Sequence, residues 1–155
     1  MTAARVFTPV NRLEQILGAF PDPTAQDLER NANARVAALK GSIEAYIAEQ
    51  LAVVEQITRE REEIIFAESL ELGAAALAIC EVAAAAGLDS LGEAARGIHA
   101  MIEALVDQGV WHTDALKLHV NALQVFAADP ATPPEEAARI LGRLKTMRDR
   151  IGVPV

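Results

Sequence analysis

Thr58-Arg-Glu-Arg-Glu-Glu63 is the stretch that decides how this chain of 155 residues folds. It interrupts a regular series of apolar positions, yet it contains no glycine or proline and consists mainly of strong helix formers. If the chain turns within residues 58–62, the flanking helices close an antiparallel four-helix bundle in one chain. If it does not turn, one helix runs over about residues 24–86, is roughly 90 Å long, and needs a partner chain, as in an intertwined dimer.

The helical periodicity is clear on both sides of this stretch. Upstream, apolar residues recur at steps of three and four, with one step of eight, and therefore share one face of a helix. These residues are Leu28, Val36, Leu39, Ile43, Ile47, Leu51, Val54 and Ile57. Downstream, the stripe resumes at Ile64 and continues to Leu70. Thr24 with Asp27 forms a variant of the capping box, which predicts that the first helix begins there.

Start and stop signals divide the remainder of the chain into further helices. Glycine, or aspartate followed by proline, ends a helix, whereas a capping box or a proline in the first turn begins one. The predicted ends are Gly87, Gly109, Asp129-Pro130 and Gly152. The predicted starts are Asp89-Ser90 with Glu93, Thr113, and Thr132-Pro133-Pro134-Glu135. No segment shows the alternation of a strand, so the predicted fold class is all-α.

The first 23 residues are predicted to form an N-terminal arm outside the helical domain. Pro9, Pro21 and Pro23 interrupt the arm, and a short helix over residues 11–17 fits between them. The predicted organisation is therefore an arm at residues 1–23 and a helical bundle domain at residues 24–155.

Composition narrows the classes of function. The chain is 52% hydrophobic but only 4% aromatic, which favours closely packed helices rich in alanine and leucine. Its net charge of −8 disfavours nucleic acid and anionic membrane as partners and suits a basic protein surface. The single cysteine fits a reducing cytoplasm. We predict no signal peptide, and we expect the apolar run at residues 74–86, interrupted by Glu81, to be too short for a membrane span.

The candidate chemical groups do not form a recognisable metal or catalytic site. A di-iron bundle requires Glu-x-x-His pairs, and no glutamate lies three residues before His99, His112 or His119. One cysteine with scattered histidines does not offer a zinc site. Cys80 has Glu81 beside it rather than a base or a cation, as expected of a small buried hydrophobe. We therefore predict no metal, no cofactor and no enzymatic activity.

The histidines have structural interpretations. His99 lies one helical turn before Glu103, so the two side chains can form an ion pair on one face. His119 lies on the inner edge of its helix, between Leu116 and Leu123. This position predicts a partly buried imidazole whose hydrogen bonds are satisfied.

Four segments together resemble a bacterial histidine phosphotransfer (HPt) domain, in particular small stand-alone HPt proteins with a proline-containing leader. Residues 6–13 resemble the leader, residues 28–39 the first long helix, and residues 87–105 the segment after the active helix. Residues 119–123 resemble a histidine-containing stretch on the following helix, where the histidine is not the phosphoacceptor. The resemblance implies an HPt-like four-helix bundle that docks with a response regulator or a histidine kinase.

The family's chemistry lies in a His-x-x-Lys-Gly motif. The histidine attacks an aspartyl phosphate as a nucleophile, the lysine offsets the phosphoryl charge, and the glycine lets a receiver domain approach. An alignment anchored on Gly87 places these three positions at Leu77, Cys80 and Glu81. The resemblance therefore implies an HPt-like protein that has lost its phosphoacceptor.

A second register gives the same result. Anchored on Lys40-Gly41, it places Ala37 at the histidine position and Ile47 where a later glycine is expected. The phosphoacceptor is absent in both registers.

Three functional hypotheses follow. The first is a non-catalytic protein that binds a receiver domain or histidine kinase through a face comprising Leu77, Cys80, Glu81 and Ala84. The second is a structural or assembly protein that forms a helical homodimer. The third is a phosphotransfer protein that uses a displaced histidine, His99 or His119.

Overall fold

The computed structural model describes residues 24–153, except for the side chain of residue 25. The arm at residues 1–23 and its predicted helix lie outside the described residues. Within residues 24–153 the fold is all-helical with no strand, which confirms the predicted class. The helices are α1 (Ala25–Thr58), α2 (Glu62–Ala67), α3 (Ser69–Ala83), α4 (Asp89–Gln108), α5 (Thr113–Ala128) and α6 (Pro134–Arg150). A 3-10 turn, Ala84–Ala86, extends α3.

The chain turns directly after Thr58. The Thr58 hydroxyl donates a hydrogen bond to the Val54 carbonyl oxygen at 2.7 Å, and Arg61 adopts an extended conformation before α2 begins. The turn places Ile57 at the end of α1 and Ile65 in α2 within the same core, where both are buried. The alternative of one unbroken helix over residues 24–86 is therefore wrong, because burial of these two isoleucines outweighs the local helix preference of the charged stretch.

Three of the predicted helix ends are confirmed by backbone geometry. Gly87, Gly109 and Gly152 have φ angles of 76°, 64° and 77° and are the only residues with positive φ in the described chain. Glycine adopts this left-handed conformation without the steric penalty that a Cβ atom incurs.

The predicted helix starts are confirmed in position, since the helices begin at Ala25, Asp89, Thr113 and Pro134, but the predicted side-chain cap forms only at α1. At α1 the capping box forms: the Asp27 amide donates to Thr24 Oγ1 at 3.2 Å, and the Thr24 amide donates to Asp27 Oδ2 at 3.3 Å. At α4, α5 and α6 no side chain caps the first turn. The Thr113 hydroxyl instead donates to Glu62 at 2.7 Å, and the Thr132 hydroxyl donates to the Asp129 carbonyl oxygen at 2.6 Å. The Thr113 hydroxyl therefore links α5 to α2, and the Thr132 hydroxyl stabilises the turn between α5 and α6; neither caps the first turn of a helix.

Helix α4 lies at the centre of the core. It packs most extensively against α3 and also contacts α5 and α6. The α3–α4 approach is close at Gly92, where an added Cβ would lie 3.1 Å from the Ala83 Cβ. Small residues therefore bring these two helices together, and the C-terminal part of α1 joins the same core through Ile47 and Val54.

The chain divides into two units, Met1–Ala37 and Ala38–Val155. Of the first unit the structure describes residues 24–37, a helical segment in which Leu28 and Val36 are exposed. The second unit contains the hydrophobic core. The predicted domain boundary between residues 23 and 24 stays a prediction, because residues 1–23 are not among those that the structure describes.

The segment Ser69–Ala86 is long and apolar enough, by length and composition alone, to cross a membrane, with a mean hydropathy of 1.6. The prediction that this apolar run covers only residues 74–86 and is too short for a span is therefore wrong by length and composition. Within the protein, 44% of this segment is buried, and Leu72, Ala76 and Ile79 belong to the hydrophobic core. Such burial is typical of the core helix of a helical domain.

Candidate functional site

A groove of about 490 Å³ runs between α3 and α4. Leu70, Ala74 and Leu77 line it from α3, and Ile102 and Val106 line it from α4. Leu70 is 79% exposed, Val106 44% and Leu77 37%. Since three large apolar side chains are exposed within one concave surface, the groove is a candidate site for binding another molecule.

His99, on α4, contacts both walls of the groove. Its Nδ1 lies 3.2 Å from the Gly73 carbonyl oxygen on α3, and its Nε2 lies 3.5 Å from Glu103 Oε1 on its own helix. A neutral ring that donates from Nδ1 to Gly73 presents only a lone pair to Glu103, whereas a protonated ring donates on both sides. The sequence prediction that His99 pairs with Glu103 is thus confirmed as a contact.

The charged residues that line the groove are acidic. Glu103 and Asp107 are exposed along the α4 wall, and no lysine or arginine lines the groove in the described part of the chain. The groove therefore combines an apolar floor with an acidic edge.

The structure brings only one of the four predicted docking residues into the groove. Leu77 lines it, whereas Cys80, Glu81 and Ala84 do not. Glu81 and Ala84 are exposed further along, and Cys80 is half-buried rather than buried as predicted.

A cationic side chain, that of Arg96, lies near Cys80, although the residues next to Cys80 in the sequence include no cation. The side chain of Cys80 faces Arg96 and raises the pKa of that arginine above its ordinary value, with a smaller contribution from Glu93. Arg96 comes from α4, so this contact depends on helix packing and could not be read from the residues beside Cys80.

His119 is fully buried rather than partly buried as the sequence predicted. Its Nδ1 lies 2.9 Å from the Ala115 carbonyl oxygen, and its Nε2 lies 3.2 Å from Nη1 of Arg148. Burial lowers the pKa of His119; the hydrogen bond to Ala115 opposes this and the positive charge of Arg148 adds to it. A ring with no exposed surface is closed to a phosphoryl donor, so His119 serves the core in this conformation.

Leu70, Val106 and Glu103 line the groove but were not among the residues predicted for the docking face. The available signal was the spacing of Leu70, Ala74 and Leu77, which lie on one helix face at steps of four and three. Nothing in the sequence showed that this face meets Val106 across the α3–α4 pair.

No group of three or more histidine, cysteine, aspartate or glutamate side chains within residues 24–153 is arranged to hold a metal ion. No family model matches the chain, and neither curated proteins nor solved structures give a match. The geometry accordingly defines an all-helical protein with an acidic-edged apolar groove.

Proposed function

We propose that this protein is a non-catalytic, HPt-like helical protein that binds a two-component signalling partner, a response regulator or a histidine kinase, in the cytoplasm. In this proposal α1, α3, α4 and α5 correspond to the four helices of an HPt-like bundle. The partner occupies the α3–α4 groove, and no covalent step takes place.

One observation carries this proposal. Leu77, which stands at the phosphoacceptor position in the register anchored on Gly87, lines the same groove as the exposed Leu70 and Val106. An apolar residue within a docking surface supplies binding energy where a histidine would supply chemistry.

Calorimetric titration of a panel of response regulators and histidine-kinase domains tests the proposal. We expect heat from at least one partner, and affinity at least tenfold weaker for Leu77→Arg. The matched control is Leu118→Arg, since Leu118 is an exposed leucine on α5 that does not line the groove. Heat from no partner, phosphorylated or not, or an equal loss in both variants contradicts the proposal.

The second candidate function is a structural homodimer. The turn after Thr58 excludes the single long helix from which the homodimer was first predicted. Helix α1 nevertheless leaves Leu39 60% exposed and Tyr46 41% exposed. A second copy that covered these side chains would bury apolar surface that the described residues leave in water.

The third candidate, phosphotransfer through a displaced histidine, now rests on His99. Its side chain is 25% exposed, but its Nε2 faces the Glu103 carboxylate, which repels an incoming phosphoryl group. This candidate ranks last for that reason. An acid-labile phosphoryl label that His99→Gln abolishes would support it.

A further inference from the structure

We propose that the occupant of the α3–α4 groove is an amphipathic helix that carries lysine or arginine along one flank. This inference rests on the proposed function in one respect: both place a protein partner in the same groove. It goes further by stating which structural element of the partner occupies the groove, without depending on which protein the partner is.

The shape of the groove fits a helix. Leu70, Ala74 and Leu77 form one row along α3 and span about 10 Å at 1.5 Å per residue. Ile102 and Val106 form a second row one turn apart on α4. Two parallel rows with a small residue between two leucines leave a trough that apolar side chains at positions i, i+4 and i+7 of a docked helix would fill.

The charge of the groove selects among helices. Glu103 and Asp107 stand on the α4 wall, and both are exposed. The remaining titratable residue in the lining is His99, whose Nε2 faces Glu103. A helix with a basic flank meets complementary charge along this edge, whereas an acidic helix or a nucleic acid meets repulsion.

The test uses two fluorescein-labelled peptides of about 18 residues, or roughly five turns. Both carry leucines at i, i+4, i+7 and i+11; one has lysines on its flanks and the other has glutamates at the same positions. Fluorescence anisotropy with the full chain is expected to show binding of the lysine peptide only. Leu77→Ser is expected to weaken this binding at least tenfold.

A charge-reversed protein provides the decisive comparison. Glu103→Lys with Asp107→Lys is expected to invert the preference, so that the glutamate peptide binds and the lysine peptide does not. The matched control is Glu135→Lys with Glu136→Lys, an exposed acidic pair in the first turn of α6, which is expected to keep the original preference. Circular dichroism verifies that each variant is folded, and the two groove charges are exposed enough for the fold to tolerate their reversal.

Each contrary outcome has a distinct meaning. Equal binding of the lysine peptide to both charge variants shows attraction to the overall charge of −8 and overturns the inference. Failure of both peptides, while a signalling partner still binds through Leu77, overturns the inference and leaves the proposed function intact. Self-association of the chain that Leu77→Ser abolishes makes a second copy the occupant and also overturns it.

Discussion

The guanidinium of Arg148 donates a hydrogen bond to the imidazole of His119, with Nη1 and Nε2 3.2 Å apart, and both residues are buried. The direction follows from the other ring nitrogen, because Nδ1–H donates to the Ala115 carbonyl oxygen and leaves Nε2 as an acceptor. No carboxylate forms an ion pair with Arg148 within residues 24–153, and its buried Nε has no partner there. The core thus contains a cation held by a neutral acceptor.

Because His119 and Arg148 are hydrogen-bonded to each other, we expect the effects of mutations at these two positions on the free energy of unfolding to be strongly non-additive. His119→Leu removes the acceptor and leaves the buried guanidinium without it, so we expect a loss of about 3 kcal/mol in the free energy of unfolding. Arg148→Met leaves Nε2 unpaired and is expected to cost about 1–3 kcal/mol. The double variant removes both polar groups, and we expect it to be more stable than His119→Leu alone. Urea denaturation of all four proteins checks this; additive losses would show that the two side chains are not coupled.

The same site predicts a loss of stability in mild acid. Burial lowers the pKa of His119 below its ordinary value of about 6.5, so the unfolded chain takes up a proton before the folded chain does. Stability contributed by the neutral ring is therefore complete above about pH 6.5 and falls as the pH drops below it. One proton limits the slope to about 1.4 kcal/mol per pH unit.

Urea unfolding between pH 5 and 7.5 measures this slope. We expect His119→Gln to flatten it, because this variant removes the ring whose pKa burial lowers. An identical slope in wild type and His119→Gln would assign the acid sensitivity to other groups.

Gly97 is required by the position of Arg148. A Cβ atom at residue 97 would overlap Nη1 of Arg148 and lie 3.6 Å from Cδ2 of His119. Gly97→Ala must therefore displace the guanidinium from its hydrogen bond, at an expected cost of about 1–3 kcal/mol.

Two comparisons isolate this effect. Gly142→Ala in α6 meets open space and is expected to stabilise the protein by up to about 1 kcal/mol, since alanine is the better helix former. In the Arg148→Met background, Gly97→Ala is expected to cost less than in wild type. Thermal unfolding of the variants provides the measurement. If Gly97→Ala loses as much stability in the Arg148→Met background as in wild type, the loss comes from the contact with His119 rather than from displacement of the guanidinium.

Local features of the fold were predictable from the sequence, because they depend on neighbouring residues. Gly87 and Gly109 end their helices as predicted, since a left-handed residue after a helix is decided by glycine itself. The turn after Thr58 was left open, because residues 58–63 favour a helix on their own. It is decided by the shared burial of Ile57 and Ile65, which no local pattern reveals.

The candidate site was predictable to a smaller extent. Leu77 was identified through its position in the resemblance, and it does line the groove. Leu70 and Val106 lie on different helices, 36 positions apart in the sequence, so their juxtaposition depends on how α3 packs on α4. The buried pair of His119 and Arg148 was hidden for the same reason, since the two residues are 29 positions apart.

The oligomeric state decides the second candidate function. A chain of 16.5 kDa that pairs through α1 is expected to show twice that mass by light scattering at high concentration. Leu39→Glu places a charge in the exposed apolar stripe and is expected to restore the monomer mass, because burying an unpaired carboxylate at an interface is costly. Ala38→Glu, at an exposed position about 100° around α1 from Leu39, is expected to leave the mass unchanged. A strict monomer at all concentrations, or dissociation by both variants alike, excludes pairing through this stripe.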